Sequence, residues 1–125
     1  MGTLYSSVIK DHYRHPRRYG RIQSPDAAFE DVNPLCGDRV RIELRLSDGF
    51  VADARFTGDS CAICTASADL LALMISGRDV TQAERITAGD LLALLEADIR
   101  PSRMKCVTLP LQALIGALSR AGVGA

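Results

Sequence analysis

The chain has 125 residues, 47% of them hydrophobic and 24% charged, with Lys plus Arg and Asp plus Glu both at 15 and a net charge of zero. That composition excludes a mainly disordered chain, and the missing basic excess argues against a dedicated nucleic-acid binder. Apolar runs such as Leu91-Leu92-Ala93-Leu94-Leu95 are too short to span a membrane.

Residues 1–125 are expected to form one domain. No secretory leader is expected, because Tyr5-Ser6-Ser7 and Lys10-Asp11-His12 break the first apolar stretch. A cytoplasmic, reducing setting follows, in which cysteines bind metal or react more often than they form structural bridges.

Leu4, Val8, Ile9 and Tyr13 recur at helical spacing and predict a first helix over 3–14, with Thr3 as its cap and Pro16 and Gly20 ending it. Its far end gathers Lys10, Arg14, Arg17, Arg18 and Arg21 against Asp11, either as solvated cations suited to the helix dipole or as a docking surface for an acidic partner. His12 and His15 read as solvated surface residues. Residues 22–35 are loop-like, with an edge strand over 29–32. From Arg39, strict alternation puts Val40, Ile42, Leu44 and Leu46 on a buried face, with Arg41, Glu43 and Arg45 facing water. Ser47-Asp48-Gly49 is a turn, and Phe50, Ala52, Ala54 and Phe56 alternate inward after it. The result is a β-hairpin over about 39–57.

The period then becomes helical. Ile63, Ala66, Leu70, Leu71 and Met74 predict a helix over 60–76, capped by Asp59 or Ser60 and stopped by Gly77. A shorter helix over 88–97 has Thr87 as N-cap, Asp90 three positions on, and Ile86 and Leu91 placed to pack as a staple. The last helix is expected to start after Thr108, so that Pro110 falls in its first turn. It would bury Leu111, Leu114, Ile115 and Leu118 and end by Gly122. A hairpin followed by helices, without βαβ alternation, predicts an α+β domain: a small antiparallel sheet covered on one face by helices.

Cys36, Cys61 and Cys106 all fall at element ends, where sites are built on rigid scaffolds. Helix N-termini beside Cys61 and Cys106 favour thiolate over thiol. Asp38 follows Cys36 by two, so in an extended chain the two side chains point the same way. A carboxylate among thiolates repels them unless a cation sits between. Three thiolates and one carboxylate then make a four-coordinate site for zinc or iron. Among those soft ligands Asp38 is the hard, exchangeable one, which suits cargo that must be handed on.

Cys61-Ala62-Ile63-Cys64 also has the pattern of a thiol-disulfide oxidoreductase. That reading wants a βαβ context and leaves Cys36 and Cys106 without a role. On the metal reading Cys64 is a small buried residue one turn along. Lys105 either lowers the Cys106 pKa by its charge or is simply solvated. A third reading is a non-catalytic interaction domain stabilised by structural zinc.

The ordered set Asn33-Pro34-Leu35-Cys36-Gly37-Asp38, Asp53-Ala54-Arg55-Phe56, Gly58-Asp59-Ser60-Cys61, Ala66-Ser67-Ala68 and Met104-Lys105-Cys106, preceded by Asp11-His12-Tyr13 and His15-Pro16-Arg17, resembles the U-type iron–sulfur cluster assembly proteins (IscU, the N-terminal part of NifU, and SufU) over nearly the whole chain. The resemblance implies the SufE/NifU-like fold, with Cys36, Asp38, Cys61 and Cys106 holding zinc or a [2Fe–2S] cluster. It implies sulfur received as persulfide from a pyridoxal-phosphate cysteine desulfurase and passed to apo iron–sulfur proteins or downstream carriers. Cys36 is the sulfur acceptor in the SufU branch and Cys106 in the scaffold branch. Lys105 stands where scaffold-branch members have histidine, and Ile99-Arg100-Pro101-Ser102-Arg103 replaces their Leu-Pro-Pro-Val-Lys chaperone segment. The insertion of SufU members between the second and third cysteines is absent. On balance the features lean towards SufU.

Overall fold

The computed structural model of the chain describes residues 6–35 and 37–121. The elements run α1 (Ser7–Arg14), β1 (Ala27–Val32), β2 (Arg39–Ser47), β3 (Phe50–Asp59), α2 (Ala62–Ile75), α3 (Val80–Glu84), α4 (Ala88–Leu95), a 3-10 turn (Pro101–Arg103) and α5 (Met104–Arg120). The strands form one antiparallel sheet in the order β1-β2-β3. One face carries Val40, Ile42 and Leu44, all buried against Ile63, Leu71, Ile75, Val107 and Leu114 of α2 and α5. Burying each such side chain contributes about 1.5–3 kcal/mol. The molecule is an α+β fold built around that layer.

Tertiary context moves several elements from where local pattern places them. The edge strand is longer than expected, beginning at Ala27. Thr3 lies outside the described residues. The observed cap of α1 is Ser6, whose hydroxyl oxygen accepts from the Ile9 amide at 3.2 Å and whose O–H donates to the Leu95 carbonyl, tying α1 to the end of α4. Thr87 caps α4 in a full capping box with Asp90, as its sequence predicts. The short helix α3, capped by Asp79, is too brief to show a period.

Strict alternation fails on β3. Arg45 pairs with Asp53 but Leu46 pairs with Val51, so Ala52 is an extra residue in a bulge. The bulge flips the start of the strand: Val51 is buried, while Phe50 and Ala52 are exposed. Nor is the second sheet face simply wet. Glu43 is fully buried there, under the segment that leads from α1 to β1. Its Oε1 accepts from the Ile22 amide at 2.8 Å, and its Oε2 meets Arg21 at 2.8 Å and Arg41 at 2.7 Å.

The last helix starts at Met104, not after Thr108, so Pro110 lies in its interior. Pro110 has no amide to give the Cys106 carbonyl, a defect of about 3 kcal/mol in a free helix. Burial of Val107, Leu109, Leu111 and Leu114 offsets it. Ile115, expected in the core, is 60% exposed. At the next position Gly116 meets the Phe29 ring, where a Cβ would stand 2.4 Å from a ring carbon.

Candidate metal and sulfur site

Three element ends converge at one edge of the sheet. In the β2–β3 register Arg39 faces Asp59, so Asp38 and Ser60-Cys61 leave the sheet side by side. Gly58 permits this closeness: its φ is +153°, and a Cβ there would lie 2.1 Å from the Arg39 carbonyl oxygen. Cys61 is the N-cap of α2, a place expected for Asp59 or Ser60. Its sulfur accepts the Cys64 amide at 3.4 Å. Gly77, at φ +83°, follows the far end of α2 as expected. Cys106 lies in the first turn of α5, which packs across β1, β2 and α2.

Cys61 Sγ and Cys106 Sγ are 3.4 Å apart. Cys106 Sγ is 3.8 Å from Asp38 Oδ2, and Asp38 Oδ1 accepts the Cys61 amide at 3.1 Å. One ligand atom from each of Asp38, Cys61 and Cys106 lies within 4.8 Å of the others. Two sulfurs about 2.3 Å from a single tetrahedral zinc would stand roughly 3.8 Å apart, so the donor set fits such an ion with an adjustment of a few tenths of an ångström. Asp38 and Cys106 are buried and Cys61 is half-buried. The residues therefore need no large movement to close around a cation.

Of the four ligand residues expected from sequence, Cys36 lies outside the described residues. Its loop is closed on both sides, with Gly37 N donating to Asn33 O and Asn33 N to Asp38 O, each at 2.8 Å. Gly37 itself is not extended, with φ +79°. The extended chain that the same-side expectation assumes is thus not kept at Gly37.

The surroundings of the Cys106 thiol act on its pKa in opposing directions. Burial pushes its thiol up to about 11, the Arg103 guanidinium pulls it down, and the Cys61 sulfur pushes it up again. The Arg103 guanidinium lies close enough to the Cys106 and Cys61 sulfurs that their charge raises its own pKa. Sequence reasoning noted Lys105 beside Cys106 and passed over Arg103. Spacing of three, one helical turn, was the available signal. Lys105 is exposed.

Cys64 is fully buried, and burial drives its thiol pKa strongly up. The sulfur paired with Cys61 is that of Cys106, and α2 follows an antiparallel hairpin rather than a βαβ unit. His15 is exposed, but His12 is not the solvated residue expected. Its Nδ1 lies 2.6 Å from Oδ2 of the buried Asp69, whose Oδ1 accepts the Arg17 and Arg18 amides at 2.9 and 2.7 Å. Of the basic segment's side chains, Arg17 pairs with Asp11, Arg18 with Asp53 and Arg21 with Glu43.

The family model described as NifU-like N terminal domain matches residues 4–120. The chain belongs to the NifU-like N-terminal domain family. It is 36% identical to the zinc-dependent sulfurtransferase SufU of Bacillus subtilis, over 91% of this chain and 88% of that protein. It is 30% identical to the iron–sulfur cluster assembly scaffold protein IscU of Escherichia coli, over 92% and 91%. Among solved structures, a candidate iron–sulfur cluster assembly scaffold of the SUF system from Fervidobacterium islandicum superposes with a TM-score of 0.80 at 25% identity, covering 92% of this chain and 96% of that one. The N-terminal NifU-like protein of Brucella abortus, at 21% identity and TM-score 0.80 over 98% and 96%, shares the fold. Among the described residues, no helix of this NifU-family chain is long and apolar enough to cross a membrane.

Proposed function

We propose that this NifU-family protein is a sulfur-handling carrier of iron–sulfur cluster assembly, working in the cytoplasm with a pyridoxal-phosphate cysteine desulfurase and with apo iron–sulfur proteins as recipients. The convergence of Asp38, Cys61 and Cys106 supports the reading. With Cys36 these residues would hold zinc or an iron–sulfur cluster. The Bacillus SufU relative and Lys105 before the last cysteine favour zinc and sulfur relay. A bound cation would keep the ligand thiols deprotonated near neutral pH, where burial alone leaves Cys106 protonated.

The chain's own residues do the rest. A freed cysteine thiolate, that of Cys36 on the SufU reading or Cys106 on the scaffold reading, attacks the outer sulfur of the donor persulfide. A new S–S bond forms on the acceptor, the donor's S–S bond breaks, and the donor cysteine leaves as thiolate with the electron pair. Arg103 faces the charge at Cys61 and Cys106.

The test combines metal and sulfide analysis of anaerobically purified protein with desulfurase stimulation by each Cys→Ser variant. About one zinc per chain, with stimulation lost in Cys36→Ser and kept in Cys64→Ser, is expected. Iron and sulfide in equal amounts would move the reading to the scaffold branch. Metal-free protein that stimulates no desulfurase would overturn it. Activity that depends on Cys64 would point to thiol-disulfide chemistry, and unfolding on metal removal without any desulfurase response would point to a structural zinc domain.

A further inference from the structure

A groove of about 340 Å³ runs beside the site. Val32, Pro34 and Leu35 form one wall, and Lys105, Leu109 and Gln112 line the other from a single face of α5. Each wall continues a ligand-bearing segment: Leu35 immediately precedes Cys36, and Lys105 precedes Cys106. On the first wall two apolar side chains stand open to solvent, Leu35 81% and Val32 46% exposed, while Lys105 and Gln112 make the other wall mixed in character. A cavity of about 350 Å³ lined by Met74, Ile86 and Leu94 is as large, but it sits towards the other end of α2 from Cys61. Size therefore does not single out the first groove, whereas its continuity with the site does.

We propose that this groove receives the chain segment flanking the persulfide cysteine of the sulfur donor, a proposal that rests on the sulfur-accepting reading above. Persulfide exchange needs the donor's outer sulfur in contact with the acceptor sulfur, so the donor backbone must cross the surface next to the site. From Lys105 to Gln112 the helical wall is about 10 Å long, which accommodates about three residues of extended chain. The matching segment carries an apolar side chain for Leu35 and Leu109 and an acidic group for Lys105, the cation at the groove's end nearer Cys106. The donor thereby gains position and orientation from contacts that take no part in bond exchange.

The experiment uses full-length metal-loaded protein and a purified SUF-type cysteine desulfurase. Leu35→Asp and Gln112→Trp, the second remote from the ligands and filling the groove, are titrated as sulfur acceptors with Leu94→Asp as control. Metal content is measured for each. Both groove variants are expected to keep wild-type metal content and raise the apparent KM for the acceptor at least tenfold, with little change in the rate at saturation and no effect of Leu94→Asp. A wild-type KM in Gln112→Trp would overturn the proposal, even if Leu35→Asp disturbed the neighbouring loop and lost metal. Failure of the wild-type protein to accept sulfur would instead overturn the functional reading on which the proposal rests.

Discussion

Asp69 and Asp38 are both buried aspartates, and their surroundings differ in one respect that separates architecture from chemistry. Both oxygens of Asp69 are occupied, Oδ1 by two successive backbone amides and Oδ2 by His12. It fastens the Arg17-Arg18 turn and α1 to the central helix, and Glu43 does the same for the β1 approach with an amide and two arginines. Asp38 accepts one amide at Oδ1, and its Oδ2 accepts only the long, weak hydrogen bond of the Cys106 thiol at 3.8 Å. A saturated carboxylate holds segments together. A carboxylate with acceptor capacity left over, set among thiols, is arranged for something that comes and goes.

Removing the saturated anchors should be costly in stability and leave metal content alone. Asp69→Ala strips the acceptor from three donors and is expected to destabilise by about 3–5 kcal/mol in urea or guanidinium unfolding, with normal metal per folded chain. A loss below about 1 kcal/mol would break the contrast with Asp38. Glu43→Gln keeps the shape but removes the charge shared by Arg21 and Arg41, for an expected loss of about 2 kcal/mol.

The Glu43 effect carries a pH signature. Burial pushes the Glu43 carboxyl up, but Arg41, the Ile22 amide and Arg21 outweigh it, and the net shift is below its ordinary value of 4.5. A lowered native pKa means that the contribution is fully present above pH 4.5 and is lost as pH falls through the native value. The stability gap between wild type and Glu43→Gln should therefore narrow below pH 4.5 and stay constant from there to neutrality. A gap that is the same at acid and neutral pH would show that the ionised carboxylate is not what Glu43 supplies.

The same division explains what could be read from the sequence. Periodicity reported Val40, Ile42 and Leu44 facing the helices, and the Thr87–Asp90 capping box, because both depend on neighbours in the chain. It missed the Glu43 and Asp69 clusters, whose partners, apart from Arg41, lie 21 to 57 residues away and leave no local trace. The Ala52 bulge escaped because one inserted residue preserves local alternation while reversing its sense, and the early start of α5 escaped because packing tolerates Pro110. At the site, residue type drew attention to Asp38, Cys61 and Cys106. Their spacing in space came from the β2–β3 register and the close approach at Gly58. Arg103 needed the helix boundary to be right before its relation to the two sulfurs could be seen.

The smallest effect on stability, and the sharpest on chemistry, is expected at Asp38. Asp38→Ala removes the hydrogen bond from the Cys61 amide and the weak one from the Cys106 thiol, and should cost about 1 kcal/mol. Its consequence for cargo follows from ligand type. Oxygen is the hard member of a set otherwise made of sulfur, and it is the ligand a soft metal or cluster exchanges most readily. With Asp38 gone, bound cargo rests on sulfur alone, and its release to a chelator or an apo acceptor should slow relative to wild type. Release at an equal or faster rate, measured on anaerobically loaded protein, would mean that Asp38 supports the site as Asp69 supports the fold, and the distinction between the two aspartates would disappear.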